Sequence, residues 1–92
     1  LTLLGSPVAS AEILRTGGVD LEYRISGEGE PLLLVHGFGS CIDHSWGAVI
    51  PALSRSWRVI AVHQRGHGAS TNPSGRFTHA ESAVDIARLL DA

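Results

Sequence analysis

The stretch Leu32-Leu33-Leu34-Val35-His36-Gly37-Phe38-Gly39 decides how this chain reads. Its first half is apolar without a break. A strand with no polar face must be covered on both sides, which is the situation of a parallel strand in an α/β sheet. The run then enters a loop whose glycines accept backbone turns closed to other residues. A second run of the same kind, Val59-Ile60-Ala61-Val62, opens onto His63-Gln64-Arg65-Gly66-His67-Gly68-Ala69-Ser70. Between the two, Trp46, Val49, Ile50 and Leu53 recur at helical spacing, with Pro51 kinking that helix or confining it to a short piece. Strand, helix, strand is a crossover unit. The fold class is therefore α/β, with the beginning of a mostly parallel sheet flanked by helices.

Upstream, Val19, Leu21, Tyr23 and Ile25 alternate with Asp20, Glu22 and Arg24, the period of two that marks a half-buried antiparallel strand. Gly17-Gly18 before it is a two-residue turn and Glu12 to Thr16 a short strand, so an N-terminal β-hairpin precedes the crossover. Downstream, the loop from His63 to Gly75 is rich in Gly, Ser, Asn and Pro. Thr78 and Glu81 form a capping box at the head of a last helix, whose apolar stripe is read as Ala83, Ile86, Ala87 and Leu90. No strand follows that helix within the sequence, so the sheet is expected to be incomplete.

Composition narrows the function classes. Of 92 residues, 43% are hydrophobic and 17% charged, which favours a packed core over wholesale disorder. A net charge of −2 leaves no electrostatic footprint for nucleic acid. No apolar stretch is long enough to span a bilayer. The single cysteine, Cys41, excludes an internal disulfide and a thiolate zinc cluster, and is read as a small buried hydrophobe rather than as a nucleophile paired with His44. His63 and His67 lie four apart, with His36 and His44 nearby, but they span a glycine loop and lack the Glu of a helical metal motif, so no metal site is assigned. At the start of the chain, Ala9-Ser10-Ala11 has the spacing of a signal-peptidase site. Residues 1–11 then read as a leader remnant on an exported protein, periplasmic or secreted, with 12–92 as the domain. The alternative is a frayed apolar terminus.

Two motifs in order, each closing an apolar strand, carry a resemblance. Leu32 to Gly39 is similar to the HGxG segment of α/β-hydrolases, and Val59 to Ser70 to the DxRGxGxS segment after that family's next core strand. The likeness runs from about Ile13 to Leu90. It implies that the loop His36, Gly37, Phe38, Gly39 forms an oxyanion hole, with the N–H of Phe38 as one of two donors and the other supplied by the residue after the nucleophile. It implies a structural loop made by His63, Arg65, Gly66, Gly68 and Ser70. One departure stands out: His63 occupies the place where the family usually has Asp, which leaves Arg65 without a carboxylate from that position. His36 is assigned a structural role, because the family's base comes late in the chain.

No G-x-S-x-G occurs among the 92 residues, and the family's triad runs nucleophile, acid, base beyond this segment. The chain thus reads as the N-terminal part of a hydrolase whose parent acts on esters or related acyl bonds through a serine, with a small-molecule substrate and no cofactor. Family members with an Asp nucleophile, the haloalkane dehalogenases and epoxide hydrolases, more often carry Pro at the position of Gly39. The alternative is a non-catalytic truncated product or a binding module on a partial hydrolase fold. In the parent sheet the Leu32–Val35 strand would have a neighbour on each side. With one of them missing, its open edge is a site for self-association.

Overall fold

The computed structural model describes residues 10–92. The expected leader remnant therefore lies outside the described residues, apart from Ser10 and Ala11. Those two open the first strand, β1 (Ser10–Thr16), which is longer than the Glu12 to Thr16 segment expected. Gly17 and Gly18 take φ of 57° and 80°, the paired positive values of a tight hairpin turn. They lead directly into β2 (Val19–Ser26), antiparallel to β1 with Thr16 opposite Val19 and Ser10 opposite Ile25. β3 (Pro31–Val35) and β4 (Arg58–Val62) are the two apolar runs. They pair in parallel, Val35 beside Val62. β4 also pairs antiparallel with β2, giving a mixed four-stranded sheet in the order β1-β2-β4-β3.

Alternation along the strands divides the core in two. Leu21, Tyr23, Ile25, Ile60 and Val62 face the last helix, α3 (His79–Asp91), and bury its Leu89. Leu34, Val59 and Ala61 face the opposite way onto Ile42 and Trp46. Both faces of β3 and β4 are thus apolar because both are covered, as the unbroken runs require.

The helical material between β3 and β4 differs from the single segment expected at Trp46 to Leu53. It forms two short helices, α1 (Ile42–Trp46) and α2 (Ile50–Leu53). Pro51 sits in the first turn of α2, where its missing N–H costs nothing, so it starts a helix instead of kinking one. Cys41 is half-buried and caps α1, its Sγ accepting the His44 N–H at 3.4 Å, rather than being a small buried hydrophobe. In α3 the capping box holds: Thr78 Oγ1 accepts the Glu81 N–H at 3.0 Å. The stripe, however, is rotated. Ser82, Asp85 and Leu89 are buried, while Leu90 is 52% exposed and Ala83 and Ala87 face solvent. Polar partners set this rotation, because Asp85 and Ser82 have bonds to make inside.

β3 has no second neighbour among the described residues, and of its residues only Leu34 is buried. A flat apolar edge with free N–H and C=O groups and no charge invites pairing. The 92-residue chain on its own is expected to sediment as a dimer or larger species, with Leu33→Lys shifting it toward monomer. A wild-type monomer with a sharp cooperative melt would contradict this.

Candidate functional site

Because β3 and β4 are parallel and in register, the loops leaving their C-terminal ends emerge side by side. This is where open α/β sheets place ligands. The first loop is His36–Ser40 and the second His63–Ser70. Two imidazoles tie them together directly, and a third ties the second loop to the first turn of α1. The Gln64 N–H donates to His36 Nε2 at 3.0 Å, the Ile42 N–H to His63 Nε2 at 3.1 Å, and the Gly39 N–H to His67 Nε2 at 2.8 Å. Each Nε2 must present a lone pair, so each neutral ring carries its proton on Nδ1. The Nδ1 partners agree. That of His36 lies 2.7 Å from the Gly37 carbonyl, that of His67 3.1 Å from the Arg65 carbonyl, and that of His63 2.7 Å from Glu22 Oε1. This last contact is short but lacks the alignment of a hydrogen bond. Burial, with His67 and His63 adding to it, holds the His36 ring below its ordinary pKa, against the opposing pull of the Gly37 carbonyl.

The backbone of the first loop is aimed by these contacts. The Gly37 carbonyl accepts from both His36 Nδ1 and the Ser40 N–H, the latter at 3.0 Å. In a trans peptide the N–H points opposite to the C=O, so fixing the Gly37 oxygen fixes the direction of the Phe38 N–H. That N–H meets no acceptor among the described residues, whereas the next one, of Gly39, is taken by His67. Gly39 has φ of 79°, open only to glycine without strain. Gly37 has no such φ, and a Cβ there would touch nothing within 4 Å. Its glycine keeps space clear above the loop. The space is an open cleft of about 520 Å³ lined by Phe38, Gly39, His67, Gly68 and Phe77 among others.

The second loop is built from below. Glu22, on β2, sits under it. Its carboxylate accepts the Ala69 N–H at 3.0 Å, its N–H donates to Ser70 Oγ at 2.8 Å, and the Ser70 hydroxyl donates to the His63 carbonyl at 2.8 Å. A Cβ on Gly68 would lie 2.5 Å from His63 Nδ1 and 2.7 Å from Glu22 Oε1, so the pair leaves room only for glycine. Burial pushes the Glu22 carboxyl up, but the Ala69 N–H and His63 together outweigh it and leave it below its usual value. The negative charge absent from position 63 is thus supplied by Glu22 from a neighbouring strand.

Arg65 is not left unpaired. Its Nε and Nη2 grip Asp85 at 2.7 and 2.9 Å, and Nη1 reaches Glu81 at 3.0 Å. The Asp85 hydrogen bonds raise the guanidinium's pKa against the cost of its burial. Gln64 completes the join to α3: its side chain donates to the His36 carbonyl at 2.7 Å and accepts from the Ser82 hydroxyl at 2.7 Å. All the residues singled out in the sequence, His36 to Gly39 and His63 to Ser70, converge on this one edge. Glu22, Asp85 and the acceptor role of His67 were missed. A polar residue interrupting an apolar stripe, as Asp85 does, is the signal that could have found one of them.

The sequence matches the alpha/beta hydrolase fold family over residues 30–92. It is 37% identical over 67 residues to a 2-hydroxy-6-oxo-6-(2'-aminophenyl)hexa-2,4-dienoic acid hydrolase of Metapseudomonas resinovorans, covering 71% of this chain and 23% of that protein. It is likewise 37% identical over 73 residues to a soluble epoxide hydrolase of a Corynebacterium, covering 79% of this chain and 25% of the relative. Among solved structures, a serine hydrolase involved in carbazole degradation superposes with a TM-score of 0.83 at 30% identity, over 92% of this chain and 34% of its own. The fold is therefore that of the α/β hydrolases. The chain belongs to the α/β hydrolase fold family, and spans about a quarter of the length of the two relatives named.

Removing Asp85 strands a buried guanidinium. Asp85→Ala is expected to lower stability by about 3 kcal/mol, the lower end for breaking a buried pair since Glu81 retains part of the contact. Chemical denaturation reads this as a fall in midpoint, and an unchanged midpoint would contradict it. Stability should also fall with pH. His36 takes up protons more readily unfolded than folded, so its contribution is complete above about pH 6.5 and declines below it. Glu22 and Asp43, held below the usual carboxylate range, add their losses only at more acid pH, below about 4.5. Denaturation curves between pH 7.5 and roughly 5 should show the decline, flattened in His36→Gln.

Proposed function

We propose that this segment supplies the oxyanion side of a hydrolase active site, and that the whole enzyme cleaves an ester or related acyl bond through a serine acyl-enzyme. The observation that carries the reading is the Phe38 N–H. It follows the carboxyl end of β3, lacks an acceptor among the described residues, and is held in direction by two donors on the Gly37 carbonyl. A donor fixed before the reaction stabilises charge as it develops on a substrate oxygen, with no cost of reorientation at that moment. The cleft beside it gives a small substrate room to approach, bounded by the rings of Phe38 and Phe77, 4.8 Å apart.

Acyl chemistry is favoured over epoxide or haloalkane cleavage by Gly39. Its N–H donates to His67, a bond that the proline more common in the Asp-nucleophile enzymes could not make. The nucleophile, acid and base would come from the remainder of the enzyme, as would the second oxyanion donor. The resemblance calls for no cofactor.

Two assays test this. The 92-residue chain alone is expected to hydrolyse p-nitrophenyl acetate no faster than buffer; saturable turnover abolished by Phe38→Pro would overturn that. In a full-length hydrolase carrying this segment, Phe38→Pro should lower kcat by roughly 10²- to 10³-fold, as removal of one oxyanion donor does elsewhere, with KM little changed. An unchanged kcat would refute the oxyanion assignment.

A further inference from the structure

We propose that His67 is a positioning residue for the oxyanion loop, holding the peptide that follows Phe38 as His36 and Ser40 hold the one before it. The inference rests on the reading of Phe38 as the oxyanion donor. Phe38 is 70% exposed, and Gly39 beside it has no side chain, so the loop has little packing of its own to hold it. Its preceding peptide is fixed through the Gly37 carbonyl. Among the described residues, its following peptide is fixed by the 2.8 Å bond from the Gly39 N–H to His67 Nε2. With both flanking peptides held, the backbone of Phe38 is constrained from both ends.

His67 can do this because it is itself held. Its Nδ1–H donates to the Arg65 carbonyl at 3.1 Å, which leaves the lone pair on Nε2. Arg65 is anchored by Asp85 on α3, so the support runs from a helix through the second loop to the first. The imidazole also rests edge-on against Phe38, ring centroids 5.4 Å apart, and tilted over His36 at 4.6 Å. An aromatic ring lacking nitrogen would keep those packing contacts and lose the Nε2 acceptor together with the Nδ1–H bond to Arg65, which separates the polar role of His67 from its packing.

The test uses a full-length hydrolase bearing this segment and compares His67→Phe, which keeps a ring, with His67→Gln, which keeps an acceptor oxygen. His67→Phe should lower kcat by roughly 10- to 100-fold, the scale of a small misplacement of a catalytic group, with KM and the thermal midpoint little changed. Affinity for an alkylboronic acid, which forms a tetrahedral adduct in the oxyanion hole, should fall in parallel. His67→Gln should restore most of both. Full activity in His67→Phe, equal losses in the two variants, or a loss confined to KM or the melting temperature would each overturn the proposal. Phe38→Pro, measured alongside, separates the two ideas. If it leaves kcat intact, the oxyanion reading fails and this one with it. If it abolishes turnover while His67→Phe does not, only the role of His67 falls.

Discussion

The arrangement at the carboxyl edge depends on one kind of interaction, a main-chain N–H donated to the bare Nε2 of a neutral imidazole. It occurs three times, at His36 and His67 in opposite directions between the two loops and at His63 from the second loop to the start of α1. The parallel register of β3 and β4 makes it possible by bringing His36 and His63 to the ends of adjacent strands. A carboxylate in their place would accept such bonds but would bring charge into the gap, and an amide would give up the ring contacts that stack these side chains on one another. Imidazole combines an acceptor, a donor and a flat surface, provided that it stays neutral.

The strands were legible because their burial is two-sided. No other element explains an unbroken run such as Leu32 to Val35 that ends in a glycine loop, and both runs lie within one residue of where they were expected. The hairpin was legible for the opposite reason, since alternation and two glycines leave little choice. What could not be read was anything decided by partners distant in sequence. The rotation of α3 was misjudged because apolar periodicity ranks Leu90 above Asp85, yet Asp85 is almost wholly buried against Arg65. The helix over Trp46 to Leu53 was merged from two, because spacing alone does not show that the chain turns at Gly47 to Val49.

Position 63 illustrates the same limit within the site. A histidine where related sequences usually carry aspartate looks like the loss of a charge. A carboxylate is nevertheless at hand: Glu22, from the hairpin, comes within 2.7 Å of His63 Nδ1. Arg65, which seemed deprived of a partner, takes two carboxylates from α3. The residue types of the loop were readable, whereas the side chains that serve them were not, because Glu22 lies 47 positions before Ala69 and Asp85 interrupts the apolar stripe of its helix.

That reach of Glu22 bears on the order in which the molecule can be made. Its carboxylate waits for an amide 47 positions later in the chain, and its own N–H for a hydroxyl 48 positions on. During synthesis the hairpin leaves the ribosome well before the loop it supports, and a bond between groups so far apart cannot form until the intervening chain has closed on itself. The second loop is therefore among the last parts to become ordered, and the first loop, tied to it through His36 and His67, must wait with it. An interrupted chain ending before Ser70 would have its sheet segments but neither ordered loop at their carboxyl edge.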